Sequence, residues 1–276
     1  MSRAGTLYIE KNSPIHKIDG SIKFILLLVW TACVFLFNDF RVFLGFFIVG
    51  LALLKIAKIP FKSIKPLFIF IVMFTIMNSI FLIVVTPNYG STLTQTTTSL
   101  ITIKGITLSL ETVWFAITLS MKYLAVFPIM MLFIFTTHPS KFASSLNKIG
   151  VSYKVAYAIN IALRYIPDVR DEFKNIMNAQ EARGVAFRKE DANIITRLKN
   201  YNTILFPLVL SSLNRVEIIS NAMDLRGFGN KNKRTWYSGQ KYGSIDFITS
   251  VLMVVLLGVA IYLKIYVLKG FWYPFK

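Results

Sequence analysis

The sequence predicts an all-α, polytopic membrane protein with about five transmembrane helices and long amphipathic helices on the cytoplasmic side. Three observations carry this. Of 276 residues, 55% are hydrophobic, and the mean hydropathy is +0.58. Only 16% are charged, against about 25% in a soluble domain. The apolar residues run in long blocks flanked by Lys and Arg. Such a chain has too few charges to cover a water-facing surface and is too apolar for disorder. The 31 Lys and Arg against 13 Asp and Glu give a net +18. That excess often marks nucleic-acid binding. Its placement beside apolar runs is instead the positive-inside pattern, so a lipid bilayer is expected as partner and nucleic acid is not. The lone Cys33 excludes an internal disulfide. With only His16 and His138 besides, no metal site and no cofactor are expected.

About twenty mostly apolar residues cross a bilayer. The candidate spans are 24–37, 42–54, 66–85, 113–135 and 247–263. The first two are joined only by Asn38-Asp39-Phe40-Arg41. They read as a tight helical hairpin, and their length leaves open whether it crosses fully. A mixed polar segment precedes the first run and no small-residue cleavage site follows it, unlike a cleavable signal peptide. Three regions result: 1–135 with four spans, a long basic region 136–244, and 245–276 with the last span and tail.

The loops set the orientation. Lys55, Lys58, Lys62 and Lys65 follow the second span with no acid among them. Loop 86–112 is rich in Thr and Ser and holds only Lys104 and Glu111, whereas 136–244 carries 17 basic and 8 acidic residues. Basic loops stay in the cytoplasm. A multi-pass protein of the cell membrane is expected, N-terminus inside and C-terminus outside.

Region 136–244 reads as helices. Thr137-His138-Pro139-Ser140 starts one that ends near Lys148. Gly150-Val151-Ser152 breaks it, with Ser152 as the next N-cap. A helix then runs over 153–183, with Val169, Phe173, Ile176, Met177 and Gln180 on one face. A third covers 192–226. Pro167 and Pro207 are expected to interrupt them. The two long helices end alike, in Asn178-Ala179-Gln180-Glu181-Ala182-Arg183-Gly184 and Asn221-Ala222-Met223-Asp224-Leu225-Arg226-Gly227. One account is termination alone: Gly caps the helix and Arg favours the dipole. The other is that Arg183 and Arg226 are offered at two tips to a partner, since the guanidinium fork binds carboxylates bidentately.

Chemistry of the chain's own is scarce. No Gly-x-x-x-x-Gly-Lys phosphate loop occurs. Asp168-Val169-Arg170-Asp171-Glu172 is the one dense acidic cluster, and Arg164, Arg170 and Lys174 at helical spacing suggest a salt-bridged surface. Lys122 inside the fourth span faces the bundle interior or snorkels, in the absence of an acid to pair with. Trp236 with Tyr237, and Trp272 with Tyr273, suit the interfacial belts.

Taken together, these motifs resemble the transmembrane T component of energy-coupling factor (ECF) transporters, the EcfT/CbiQ-like family. Ile15-His16-Lys17-Ile18-Asp19-Gly20-Ser21-Ile22-Lys23 resembles the family's entry signature, with Gly20 and Ser21 in place of the usual Pro-Arg. Ala182-Arg183-Gly184 fits the family's tip motif, and Leu225-Arg226-Gly227 fits with Leu for Ala. Phe228-Gly229 and Lys233-Arg234-Thr235-Trp236-Tyr237 are similar as well. The resemblance implies a non-catalytic scaffold whose two coupling helices seat Arg-bearing tips in two ABC-type ATPases. It also implies a separate S component, binding a vitamin or metal ion, on the helices' apolar faces. The stretches 155–163 and 205–213 are too apolar for solvated helices and too short to span, and Ile161, Leu163, Leu208 and Leu210 are the expected contacts. Packing of these faces on each other or in lipid is the simpler alternative. A self-contained secondary transporter or channel is the rival function; its polar, broken midplane helices are not evident here. A membrane enzyme using Asp168 and Asp171 is the third reading.

Overall fold

The computed structural model describes residues 7–94, 98–103, 106–187, 193–230, 235–237, 239, 240, 242–268 and 270–274. Lys104, Lys233 and Arg234, named above, lie outside them. The all-α class holds. The helices are α1 (Pro14–Lys17), α2 (Gly20–Leu36), α3 (Phe40–Ile56), α4 (Phe61–Val85), α5 (Tyr89–Thr94), α6 (Leu110–Thr136), α7 (Pro139–Lys148), α8 (Tyr153–Ala182), α9 (Ile194–Leu225) and α10 (Ser244–Tyr262), the last continued by a π-helical turn at Leu263–Val267. The Thr/Ser loop adds a two-stranded antiparallel ribbon, β1 (Ser99–Ile103) with β2 (Ile106–Ser109), pairing Ile101 with Leu108 and Ile103 with Ile106. Ile101, Thr102, Ile103, Ile106 and Thr107 are β-branched, which suits strands.

The chain divides into two units. One comprises Tyr8–His138 with Gln240–Lys276, and the other is built on Pro139–Gly239.

In the first unit α6 is the shared wall. Helices α2, α3, α4 and α5 all pack on it. Trp30, Cys33, Val34, Phe37, Phe43, Met121, Ala125 and Ile129 form one apolar core. Ile15, Leu54, Ala57, Ile64, Phe127, Met131, Leu132 and Phe135 form a second. Trp30 Nε1 donates to the Ala125 carbonyl at 3.0 Å. Gly50 of α3 meets Pro128 of α6 so closely that a Cβ there would lie 2.7 Å from the Pro128 Cβ. Pro128 stays inside a continuous α6, as packed membrane helices permit.

Polar residues close the ends. The last carbonyls of a helix lack intrahelical donors. In α6, Ile9 N–H donates to Phe135 O at 3.0 Å, and buried Lys23 donates from Nζ to Thr136 O at 2.9 Å. A cation here also suits the negative end of the dipole. Asp19 caps α2 by accepting from Ser21 N–H. Asp246 accepts from Asp19 N–H and Gly243 N–H, both at 2.8 Å, and so ties the start of α10 to that of α2. His16 is held between Ser13 Oγ and the Ile9 carbonyl. Burial lowers its imidazole below the ordinary value; the Ile9 hydrogen bond opposes this and the Lys23 charge adds to it.

Helices α2 and α3 have 17 residues each, about 25 Å at 1.5 Å per residue, short of a hydrocarbon core of about 30 Å. Asp39 at their corner caps α3 and pairs with Arg41 at 2.9 Å. Lys122 turns to this corner: its Nζ is 3.5 Å from Asn38 Oδ1 and 4.8 Å from the Phe35 ring centroid. Arg41 in turn stacks over Trp272, whose carbonyl accepts from Trp114 Nε1.

Among the described residues, four helices have the length and composition to cross a membrane: α4, α6, α9 and α10 with its π turn. The presence of α9 among them departs from the sequence reading, which counted only 205–213. Helices α8 and α9 are continuous through Pro167 and Pro207, so the expected interruptions do not occur, and in α9 the apolar residues on both sides of Pro207 join into one run.

Two glycines of α3 separate packing from propensity. Gly50→Ala should lower the melting temperature of the detergent-solubilised protein, because the new methyl collides with Pro128. Gly45→Ala meets nothing within 4 Å and should hold or raise it, by up to about 1 kcal/mol of helix propensity. Thermal melting of both variants checks this.

Candidate functional site: two arginine-bearing helix tips

Helices α8 and α9 pack together and run antiparallel. Residues after the end of α8 meet the start of α9: Arg197 Nε donates to Phe187 O and Asn200 Nδ2 to Ala186 O, both at 2.8 Å, and Tyr201 packs on Phe187 and Phe173. Midway, Glu172 accepts from Ser211 Oγ and from Arg215 at 2.7 Å. Arg215 also lies 5.6 Å from the Tyr165 ring centroid. At the other end, Tyr153 and Tyr157 of α8 cluster with Phe228 and Trp236. Trp236 Nε1 donates to Asn147 Oδ1 of α7 at 3.0 Å. Trp236 is therefore packed against α8, where the sequence placed it in an interfacial belt.

The two tips have the same backbone. Arg183 ends α8 at φ −86°, ψ 5°, and Arg226 ends α9 at φ −87°, ψ 8°. Each is followed by a left-handed glycine, Gly184 at φ 86° and Gly227 at φ 63°. Val185 N–H donates to Gln180 O and Gly184 N–H to Glu181 O; Phe228 N–H donates to Met223 O and Gly227 N–H to Asp224 O. Each tip is thus a Schellman cap, in which a glycine without a Cβ turns the chain and satisfies the helix's last carbonyls. Ala182, Arg183, Gly184 and Arg226 are exposed, and Leu225 is 91% exposed. From the residues bracing the first tip to Arg226 is about 27 residues of α9, roughly 40 Å. The tips stand at opposite ends of the pair.

The apolar candidates lie between the tips. Ile161, Leu163 and Leu208 are half-buried and Leu210 is exposed. Beside them Leu205, Phe206, Val209 and Leu213 are exposed as well. Asp168 and Asp171 are exposed on α8.

The family model of the cobalt transport protein CbiQ matches residues 11–237. This chain belongs to that family. It is similar to the energy-coupling factor transporter transmembrane protein EcfT of Acidaminococcus fermentans, 30% identical over 269 residues, 93% of this chain and 95% of the relative. It is likewise similar to EcfT of Clostridium kluyveri, 30% identical over 268 residues, 94% and 96%. EcfT of Staphylococcus aureus is 26% identical over 269 residues, 93% and 95%. The family membership makes this CbiQ-family chain a multi-pass membrane component of a transporter and accords with the T-component resemblance read from its motifs. Both arginines lie at helix ends, where the sequence places them; the residues that brace those ends were not read from it: Arg197, Asn200 and Tyr201 at one tip, Tyr153, Tyr157, Trp236 and Asn147 at the other. The aromatic spacing in Tyr153-x-x-x-Tyr157 was the available signal.

Gly184→Ala and Gly227→Ala place a Cβ on a left-handed backbone, and the last helical turn at each tip should fray. Trypsin should cleave after Arg183 or Arg226 faster in the matching variant than in the wild type, with the other tip unchanged. Fragment mapping by mass spectrometry reads the outcome.

Proposed function

We propose that this chain is the coupling scaffold of an ECF importer. The observation that carries the reading is the pair of identical Schellman-capped arginine tips, set about 40 Å apart at opposite ends of one antiparallel helix pair. Two tips of one geometry suit two related receptors. In this reading Ala182, Arg183 and Gly184 enter a groove of one cytosolic ABC-type ATPase, and Leu225, Arg226 and Gly227 enter that of a second. Each guanidinium takes a carboxylate or a row of carbonyls there. Region 136–244 is then the coupling region, with 1–135 and 245–276 as its membrane anchor. A substrate-binding S component, for a vitamin or a metal ion, packs on the apolar faces that include Ile161, Leu163, Leu208 and Leu210. The chain hydrolyses nothing itself. Closure of the ATPases moves the tips, and the Glu172–Arg215 contact and the aromatic braces pass that motion along both helices to the S-component face. Helix α9 lies along the apolar surface in this reading rather than crossing it, which keeps both tips on one side.

The test is charge reversal. Arg183→Glu with Arg226→Glu should abolish co-purification of the ATPases and substrate uptake while membrane insertion stays normal. Each single variant should weaken both partially. Intact complexes and uptake in the double variant would reduce the arginines to helix caps.

The same reading places the N-terminus and the tips in the cytoplasm. With Cys33 replaced by Ser, an impermeant maleimide applied to intact cells should label a cysteine engineered at exposed Thr92 and miss one at exposed Asn178. The reverse pattern refutes the orientation.

A further inference from the structure

The corner between α3 and α4 concentrates charge and strain that the coupling reading does not use. Lys55 lies in the last turn of α3, Lys58 in the connection, and Lys62 and Lys65 in the first turns of α4. All four are exposed. No Asp or Glu occurs from residue 40 to residue 110. Lys62 and Lys65 stand three apart on one helix face, where like charges repel. Lys58 adopts φ 56° and is the one non-glycine residue at positive φ among the described residues. Glycine takes that conformation freely and lysine resists it. The connection leaves Lys58 little choice. Ala57 before it is fully buried, and Ile59 after it packs against the core cluster that includes Ile64. Its N–H donates to Lys55 O at 3.0 Å, so this left-handed residue caps α3 where glycine is usual, and a lysine kept there despite its cost points to a use for the side chain.

The surroundings indicate what that use is. Ile56 is 50% and Phe61 is 67% exposed beside the lysines. Helix α4 continues for 25 residues as an apolar span, whose outward face includes Phe70, Met73 and Met77. The four lysines thus end a lipid-facing surface at the level of the headgroups, where basic clusters attract anionic lipid. Lysine suits phosphate as a compact point charge. We propose that this corner binds the phosphate of anionic phospholipids, with Lys55, Lys58, Lys62 and Lys65 around the headgroup and Ile56 and Phe61 among the acyl chains. The proposal is independent of the coupling reading; only the leaflet follows from the orientation given there.

The test uses the full chain in nanodiscs of phosphatidylcholine alone and of phosphatidylcholine with phosphatidylglycerol. The wild type should melt higher in the mixed discs and retain phosphatidylglycerol in native mass spectra. Lys58→Gly should melt above the wild type in phosphatidylcholine, because the strain is relieved, yet lose part of the phosphatidylglycerol gain. Lys62→Gln with Lys65→Gln should lower retained phosphatidylglycerol by about fivefold per lysine, the factor that ~1 kcal/mol per charge near an anionic surface gives. A merely structural lysine cannot move stability and lipid retention in opposite directions. Four results overturn the proposal: an equal phosphatidylglycerol gain in all variants, a Lys58→Gly protein less stable in phosphatidylcholine, inorganic phosphate reproducing the shift, or loss of a protein partner by the lysine variants with lipid retention unchanged.

Discussion

The membrane unit depends on how closely other helices approach α6. Four helices share this one surface, so its shape sets theirs. The closest approach is Gly50 against the Pro128 ring, where a missing side chain on α3 accommodates a ring on α6. Trp30 then reaches the α6 backbone at Ala125, one turn away, and fixes α2 against the same stretch. At the end of α6 the chain closes its own polar groups. Lys23 of α2 and the backbone of Ile9 take the carbonyls that no further turn of helix satisfies. A buried lysine is tolerable there because helix-end carbonyls concentrate negative charge. The entry signature of the sequence is thus an inventory of helix-end partners: Asp19 caps α2, Lys23 closes α6, and Asp246 from far along the chain joins α10 to the same point.

The second unit is organised differently. Helices α8 and α9 bury few residues fully, Ala156 and Ile204 within the two helices, and their pairing relies on directional contacts. Glu172 with Arg215 and Ser211 sets the register at mid-length. Partly exposed ion pairs contribute little stability, so registration is the more economical account of this one. The ends are held by different residue sets, Arg197, Asn200 and Tyr201 on the chain after α8 at one tip and a Tyr153, Tyr157, Phe228 and Trp236 cluster at the other, although the tips share one backbone geometry.

What the sequence made legible follows from which forces are local. The apolar blocks marked α2, α3, α4, α6 and α10, because a membrane helix needs only length and hydropathy. Ser152 as N-cap and the two Gly caps were legible because capping involves residues within a few positions of each other. The prolines misled. Pro167 and Pro207 each remove one hydrogen bond, but packing along α8 and α9 keeps both helices whole, and tertiary contact is invisible to local rules. The same limit hid the partner of Glu172, expected among neighbouring cations on its own helix and found on α9. It also hid the place of Trp236, whose belt-like sequence position lies beside an aromatic cluster in space. The arginines at the tips were legible because the chain repeats the same pattern twice; their braces do not repeat, and so gave no such cue.

The brevity of α2 and α3 bears on the surrounding solvent as well as on the protein. Both present apolar side chains outward, Leu28 and Phe35 on α2 and Ile48 and Val49 on α3. A hairpin some 5 Å shorter than the acyl layer draws the neighbouring lipids inward, at a fraction of a kcal/mol per ångström of mismatch. In a bilayer that this hairpin crosses, the hydrocarbon beside it is therefore thinner than elsewhere.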